Sequence, residues 1–253
     1  MPAERRLFTW GRRAAAFAAV GGVVAMLVYP GGTYRDRTTS GYQFFHNFFS
    51  DLGATVTFNG QPNPIGATLF VVSLVVLVAG MGAILAGLAR VYAREPRAVP
   101  LVRLAVIVGI FVCACFIGVA VTPENRVRSI HVLFTKLAFR AFPAVPLFLG
   151  LAASRRDRTP ARVGVAWIAM VVLLVAYVVV LDWGPRASTP IGLVVQVTAQ
   201  KIVAVGAVLL LVYQSIQAER LASSVAGEER GDRLVEEVAV LGARPRAGRV
   251  SPE

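Results

Sequence analysis

The sequence predicts an all-α membrane protein, a bundle of six transmembrane helices with both termini in the cytoplasm. Of the 253 residues, 56% are hydrophobic and only 16% are charged. The apolar residues fall into runs of about 20, the length that spans a hydrocarbon core of ~30 Å. Arginines cluster between the runs, 12 on one predicted side and 5 on the other. The arginine-rich side is expected to be cytoplasmic.

The first predicted helix follows a basic N-terminal segment, residues 1–13. An apolar run over residues 14–28 comes next, and it ends in Tyr-Pro-Gly-Gly without a small-residue cleavage site. We therefore expect an uncleaved helix rather than a signal peptide. Gly21 and Gly22 in this run suit close packing against another helix. An ordered outer loop, residues 30–63, is predicted to follow.

Four of the later helices begin with the same pair, a residue with a capping side chain followed by proline. The side-chain oxygen can accept from a free N–H of the first turn, and proline at the first helical position removes no helix hydrogen bond. The pairs are Asn63-Pro64, Thr122-Pro123, Thr159-Pro160 and Thr189-Pro190. The predicted spans are about 64–88, 100–121, 123–153 (interrupted at Pro143 and Pro146), 160–183 and 190–216, with Trp10, Trp167 and Trp183 as interfacial anchors near span ends.

Beyond the membrane domain, residues 14–216, the chain is polar and mixed in charge. We expect residues 217–253 to be a cytoplasmic, largely disordered tail with a short helix around Glu229–Leu241. The net charge of +12 would suggest nucleic acid in a soluble protein. In a membrane protein the arginine clusters meet anionic lipid instead, so membrane lipids are the expected partners and nucleic acid is not. Neither Cys113 nor Cys115 suggests redox chemistry, and no cofactor is expected.

The stretch Gly41–Pro64, GYQFFHNFFSDLGATVTFNGQPNP, carries most of the candidate catalytic side chains. Ser50 lies four residues after His46, so one helical turn would bring a nucleophile next to a base. Ser-Asp-Leu-Gly reads equally as a turn capped by its own side chains. His46, His131 and Asp51 are weak candidates for metal ligands, because none has local ligand spacing, and we expect no metal.

The predicted spans contain cationic side chains, which are rare in transmembrane helices. Each costs about 2.5–3.5 kcal/mol to insert, so it normally faces the bundle interior with a partner. The acids within reach lie near the outer surface, at Asp182, Asp51 and Glu124. Helix N-termini on the outer side would add positive potential. The leading hypothesis is an outward-facing site for an anionic lipid or small anion, formed by Lys136, Arg140, Lys201, Gln196, Gln200 and Asn63.

Three alternatives stay open. The cations can snorkel or pair internally and only stabilise the bundle. The chain can be a membrane-embedded hydrolase or acyltransferase that uses Ser50, Asp51, His46 and His131. It can also be a structural partner of another membrane protein. We therefore leave open whether the protein is an enzyme, although the paucity of catalytic signatures favours a non-enzyme.

Two short elements resemble a known family. The SDLG element at Ser50–Gly53, followed by Asn63-Pro64, resembles the bacterial and archaeal membrane family called domain of unknown function nine-nine-eight. The segment Ile117–Phe139, IGVAVTPENRVRSIHVLFTKLAF, is similar to that family's second element, a proline followed by a histidine on the next helix. The resemblance covers about residues 10–215 and implies a six-helix bundle in a prokaryotic cytoplasmic membrane, with no established activity. Its implied polar positions are Ser50, Asp51, Asn63 and His131.

A more distant likeness exists to membrane proteins of the autophagy-modulator and GPI-anchor-remodelling group, which also carry a Ser-Asp turn after the first span. Membrane hydrolases of the alkaline ceramidase superfamily look built around a serine, an aspartate and three histidines. This chain has two histidines in all, so that mechanism does not carry over.

Overall fold

The computed structural model describes residues 3–156 and 159–242, with side chains described as far as residue 223. Within these residues the chain is helical and forms no strand, only two isolated bridges in the loop before the second helix. Two 3₁₀ turns, Phe49–Gly53 and Pro96–Ala98, lie between helices. The prediction of an all-α protein is confirmed. The helices are α1 Ala3–Leu27, α2 Pro64–Tyr92, α3 Val99–Val121, α4 Glu124–Ala141, α5 Ala144–Ser154, α6 Ala161–Trp183 and α7 Pro190–Gly242.

Five helical stretches in the described part are long and apolar enough to cross a membrane, as expected for a multi-pass membrane protein. Helix α1, predicted as a sixth span, is not among them. Its apolar part without arginine, residues 14–27, is only about 21 Å long at 1.5 Å per residue. The five stretches are Pro64–Tyr92, Pro96–Val121, Glu124–Ser154, Ala161–Trp183 and Pro190–Ser223.

Helix α1 packs along α2 through small residues on both helices. A side chain at Gly21 would collide with Ser73 of α2, and one at Gly87 would lie 2.5 Å from the ring of Phe8. The missing side chains let the two backbones approach closely over most of the length of α1. The expectation that Gly21 serves helix packing is confirmed, whereas Gly22 faces open space.

Two glycines of α2 provide a matched test of this packing. A Cβ at Gly80 would lie 2.5 Å from the Cβ of Ala14, but a Cβ at Gly82 would have no neighbour within 4 Å. We expect Gly80→Ala to lower the free energy of unfolding by about 1–3 kcal/mol through overpacking. Gly82→Ala should be neutral or slightly stabilising, because alanine is the better helix former. Thermal unfolding of the detergent-solubilised variants checks this, and equal effects at both positions would contradict it.

The proline-marked helix starts are confirmed to within two residues, but the proposed side-chain caps are mostly wrong. The hydroxyl of Thr189 accepts the N–H of Gly192 at 3.1 Å, as a capping side chain should. At Thr122 and Thr159 the hydroxyl instead donates to a carbonyl of the preceding helix. Asn63 uses its amide within the outer loop. Proline placement is therefore the stronger boundary signal here.

The predicted fourth span consists of two helices. The chain breaks at Pro143, as expected, while Pro146 lies inside α5. Helix α4 is itself kinked at Val127, where φ is −136° and ψ is 51°. The ring of His131 donates from Nδ1 to the carbonyl of Thr122 at the end of α3, over 2.7 Å. His131 is therefore level with the C-terminal end of α3, and the first two turns of α4 precede it.

Helix α7 does not end near Ile216 but continues to Gly242. No proline interrupts it, and its extension is tied to α1 by Glu219. That carboxylate lies 2.9 Å from the guanidinium of Arg5 and 2.8 Å from that of Arg12. The short helix predicted near the C-terminus falls inside α7, and residues 243–253 lie outside the described part of the chain.

The main core lies between α2, α3, α5, α6 and α7, and Phe8 of α1 and Phe139 of α4 also pack into it. Trp167 lies in this core, packed with Tyr92 and Met170, and is only 2% exposed. The prediction that it is an interfacial anchor is therefore wrong. Trp10 and Trp183 are 48% and 77% exposed. These two remain on the surface near helix ends, where an indole ring can sit between lipid and water.

Candidate functional site

Residues 28–63, here called the cap, form an ordered structure between α1 and α2. The N–H of Gly32 donates to the carbonyl of Thr39 at 2.8 Å, and that of Gly41 donates to Pro30 at 3.1 Å. Gly32 has φ +81°, and a side chain there would lie 2.7 Å from the carbonyl carbon of Phe58. Only glycine fits this close crossing without strain. The backbone itself therefore folds the cap into a fixed shape.

The side chain of Asn47 is the buried centre of the cap. Its Nδ2 donates to the carbonyl of Gly32 at 3.0 Å and to Oδ2 of Asp51 at 3.2 Å. Its Oδ1 accepts the N–H of Gln43 at 2.9 Å, and its backbone carbonyl accepts the hydroxyl of Tyr42 at 2.9 Å. A fully buried amide with its hydrogen-bonding capacity used in this way fixes one conformation.

Lys201 of α7 reaches the same centre from the membrane side and is 4% exposed. Its ammonium donates to the backbone carbonyl of Asn47 over 2.6 Å. The aromatic rings of Tyr42, Phe44 and Phe49 surround it, with centroids 5.4, 5.0 and 5.2 Å away. Ring faces attract a cation when water is excluded. In the described part of the chain, a carbonyl dipole and three rings thus take the place of a paired carboxylate.

Asp51 lies in the 3₁₀ turn of the cap and is 1% exposed. Its Oδ2 accepts the N–H of Phe48 at 2.8 Å besides the amide of Asn47, so the carboxylate caps its own turn. Its Oδ1 has no hydrogen-bond partner within the described residues. Burial, together with the negative charge of Glu124, raises the pKa of Asp51 to about 7, although its two hydrogen bonds and the charge of Lys201 act in the opposite direction.

Two amides, both among the residues predicted to bind an anion, hold the 3₁₀ turn in place. Oε1 of Gln200 on α7 accepts the N–H of Phe49 at 2.8 Å. Nδ2 of Asn63, just before α2, donates to the carbonyls of Leu52 and Ala54, each at 3.0 Å. These bonds satisfy backbone groups that have no partner in regular secondary structure. The 3₁₀ turn is consequently tied to α7 and to the last residue of the cap before α2.

A second polar group, the α4–α6 cluster, consists of Lys136, Arg140 and Asp182. Arg140 donates to both oxygens of Asp182, over 2.9 Å from Nε and 2.8 Å from Nη2. The ammonium of Lys136 lies 3.7 Å from Oδ1 of the same carboxylate. The side chains of Arg140 and Lys136 are 51% and 38% exposed, against 11% for Asp182. Two cations therefore share one largely covered acid, which leaves a net positive charge.

The six residues predicted to bind an anion thus fall into three separate networks in the described structure. Gln196 belongs to neither group above, because its Nε2 donates to the carbonyls of Val180 and Pro185 and ties the turn between α6 and α7. Lys201, Gln200 and Asn63 hold the cap, and Lys136 and Arg140 form the α4–α6 cluster.

The candidate catalytic residues do not bond to one another. His46 is exposed, Ser50 is half-buried, and His131 is buried with its Nε2 unpartnered among the described residues. The hydrogen bonds of the described part join Ser50 to neither histidine nor Asp51. No group of three His, Cys, Asp or Glu side chains in that part could hold a metal ion. The hydrolase and partner-protein alternatives stay predictions.

Sequence reasoning gave no role to Asn47 or to the rings around Lys201. One signal was present, since Asn47 precedes Asp51 by four residues and one helical turn brings such positions together. The bond from Lys201 had no such signal, because it joins positions 154 residues apart.

A family described as Protein of unknown function (DUF998) matches the chain over residues 20–213. The chain belongs to this family. The matched DUF998 region includes the whole cap, the α4–α6 cluster and Lys201, so the resemblance predicted from the SDLG element is confirmed. Neither the curated proteins nor the solved structures compared with this DUF998 chain give a match. The more distant likeness to GPI-remodelling proteins stays a prediction.

Proposed function

We propose that this DUF998 protein is a six-span protein of a prokaryotic cytoplasmic membrane, with both termini in the cytoplasm. Its outer surface binds the phosphate of an anionic lipid, or a small anion of the same chemistry, at the α4–α6 cluster. The observation that carries the proposal is the unequal charge there, two half-exposed cations around one covered carboxylate. The protein acts as a lipid-binding membrane component rather than as an enzyme.

The packing of α1 supports its role as the sixth span. Helix α1 contacts α2 from Phe8 against Gly87 to Gly21 against Ser73, and α2 is long enough to cross the membrane. A helix packed along such a length of a spanning helix crosses with it. Arginines near the end of α1 can extend their guanidinium groups to the headgroup layer. The arginine-rich ends of the spans then lie together on the cytoplasmic side.

The α4–α6 cluster has unused hydrogen-bond donors where a phosphate would sit. Arg140 uses Nε and Nη2 on Asp182, which leaves Nη1 without a protein partner in the described structure. The three N–H groups of Lys136 meet only one carboxylate oxygen, at 3.7 Å. Guanidinium and ammonium groups bind phosphate oxygens through charge-assisted hydrogen bonds. Leu133 and Trp183, 54% and 77% exposed, provide apolar surface for a lipid chain on the same two helices.

Tryptophan quenching by brominated lipids tests this site, because Trp183 follows Asp182 in sequence. In a Trp10→Phe background, Trp183 and the buried Trp167 are the remaining tryptophans. In nanodiscs, brominated phosphatidylglycerol should quench more than brominated phosphatidylcholine. Lys136→Met/Arg140→Met/Asp182→Asn removes all three charges without leaving an unpaired acid, and it should abolish the difference.

Arg37→Met is the matched control, since this exposed cap arginine has no bond to the cluster. It should keep the preference for the anionic lipid. Competition by inorganic phosphate would identify a small anion rather than a lipid as the ligand. A preference that survives in the triple variant, at unchanged quenching by the neutral lipid, would rule out the α4–α6 cluster as the site.

A further inference from the structure

A cleft of about 480 Å³ lies at the opposite, arginine-rich end of the bundle, where α1 meets α2. Four positions of one face of α1 line it, Ala3, Arg6, Leu7 and Trp10, and Arg90 near the end of α2 forms the other wall. The spacing of three and four residues places these positions side by side on the helix. The cleft thus combines two guanidinium groups with an apolar floor.

Neither arginine of the cleft forms a salt bridge in the described structure, although the charge of Arg90 acts on the carboxylate of Glu4. Glu4 is the nearest acid in sequence to Arg6, and its carboxylate pairs with Arg94 at 3.0 Å. Glu219 pairs with Arg5 and Arg12, on other faces of α1. Arg6 and Arg90 are both exposed. Two exposed guanidinium groups at one opening create a positive potential that attracts an anion from outside the chain.

The cleft opens onto an exposed apolar stripe along α1. From Trp10 the stripe continues, past the exposed Arg13, through Phe17, Val20 and Val24 to Leu27. Their exposed fractions range from 38% to 79%. The stripe is about 26 Å long at 1.5 Å per residue, so a lipid chain fits alongside it. A free phosphate has no apolar part that could contact this surface.

We propose that this cleft binds an anionic phospholipid of the cytoplasmic leaflet, with its phosphate between Arg6 and Arg90 and one acyl chain along the stripe. The site is separate from the outer α4–α6 cluster and does not depend on it. A second copy of the chain is a poorer occupant, because a two-fold interface centred on this cleft would bring the unpaired arginines toward their own equivalents. Positive charge next to an apolar stripe is complementary to the anionic lipid.

Trp10 reports on this cleft as Trp183 reports on the outer cluster. In a Trp183→Phe background, Trp10 and the buried Trp167 are the remaining tryptophans. Phosphatidylglycerol brominated near the headgroup, in nanodiscs, should quench more strongly than the matching phosphatidylcholine. Arg6→Gln/Arg90→Gln should abolish this preference. Arg103→Gln removes an exposed arginine near the start of α3, at the same end of the bundle as the cleft, and should leave the preference unchanged.

Arg6→Lys/Arg90→Lys keeps the charge and should retain most of the preference, which separates a loss of binding from a loss of folding. Equal quenching by the two lipids in the unmodified Trp183→Phe protein would overturn the proposal. Protection of Trp10 from both lipids would also overturn it, because a second copy of the chain would then cover the stripe. Neither result bears on the outer cluster, whose reporter and variants are different.

Discussion

Replacing Lys201 with methionine is expected to release the cap from the membrane helices and to lower the free energy of unfolding by about 3 kcal/mol. Three contributions are lost together. The ammonium no longer bonds the carbonyl of Asn47, and the rings of Tyr42, Phe44 and Phe49 lose the cation they surround. The carboxylate of Asp51 also loses the positive charge that favours its ionised form.

Limited proteolysis and thermal unfolding measure the two effects separately. Cleavage within residues 28–63 should become faster in Lys201→Met, while cleavage elsewhere is little changed. Lys136→Met is the matched control, because this lysine is 38% exposed and shares its acid with Arg140. An exposed pair of this kind contributes about 0–1 kcal/mol. If both lysine variants lose stability equally, the cap is not held by Lys201.

The partners of three cations, Lys136, Arg140 and Lys201, show how much of the site could be predicted from the sequence. The sequence places Asp182 at the outer end of a span, within reach of Lys136 and Arg140, and the structure pairs all three. Length and apolarity carry this inference, because they fix the depth of each residue in the bilayer. The same reasoning failed for Lys201, because a search for acids misses backbone carbonyls and ring faces as counter-groups.

The sequence could predict an ordered segment between the first two helices, but not the hydrogen bonds inside it. Asn63 was expected to cap α2, yet its amide serves carbonyls nine and eleven residues earlier in the chain. The partners of this amide depend on where the loop folds back, and the periodicity of the sequence does not indicate that position. Helical spans can be predicted because each depends on the average hydropathy of about 20 residues. A buried amide depends on single contacts that only the folded chain brings together.

Asp51 is expected to make the protein more stable in mild acid than at neutral pH. Its pKa is about 7 in the folded protein and near the ordinary value of about 4 in the unfolded chain. Between these values the folded state retains a proton that the unfolded state releases. The resulting stability is fully present below about pH 4 and is lost as the pH rises through 7, at up to about 1.4 kcal/mol per pH unit. Burial raises this pKa most, the charge of Glu124 raises it as well, and Asn47, the N–H of Phe48 and the charge of Lys201 lower it.

Asp51→Asn removes this titration while keeping an oxygen for the N–H of Phe48. Over roughly pH 5 to 7.5, its thermal unfolding temperature should depend less on pH than that of the wild type. It should exceed the wild-type value at the upper end, where the buried carboxylate is ionised in the wild type. His46→Gln controls for the exposed histidine of the same cap, and it should keep the wild-type slope. A wild-type slope in Asp51→Asn would show that Asp51 is not the titrating group. A flattened slope in Asp51→Asn alone would place a proton-binding carboxylate in the locked centre of the cap, one hydrogen bond away from Asn47, which holds Lys201.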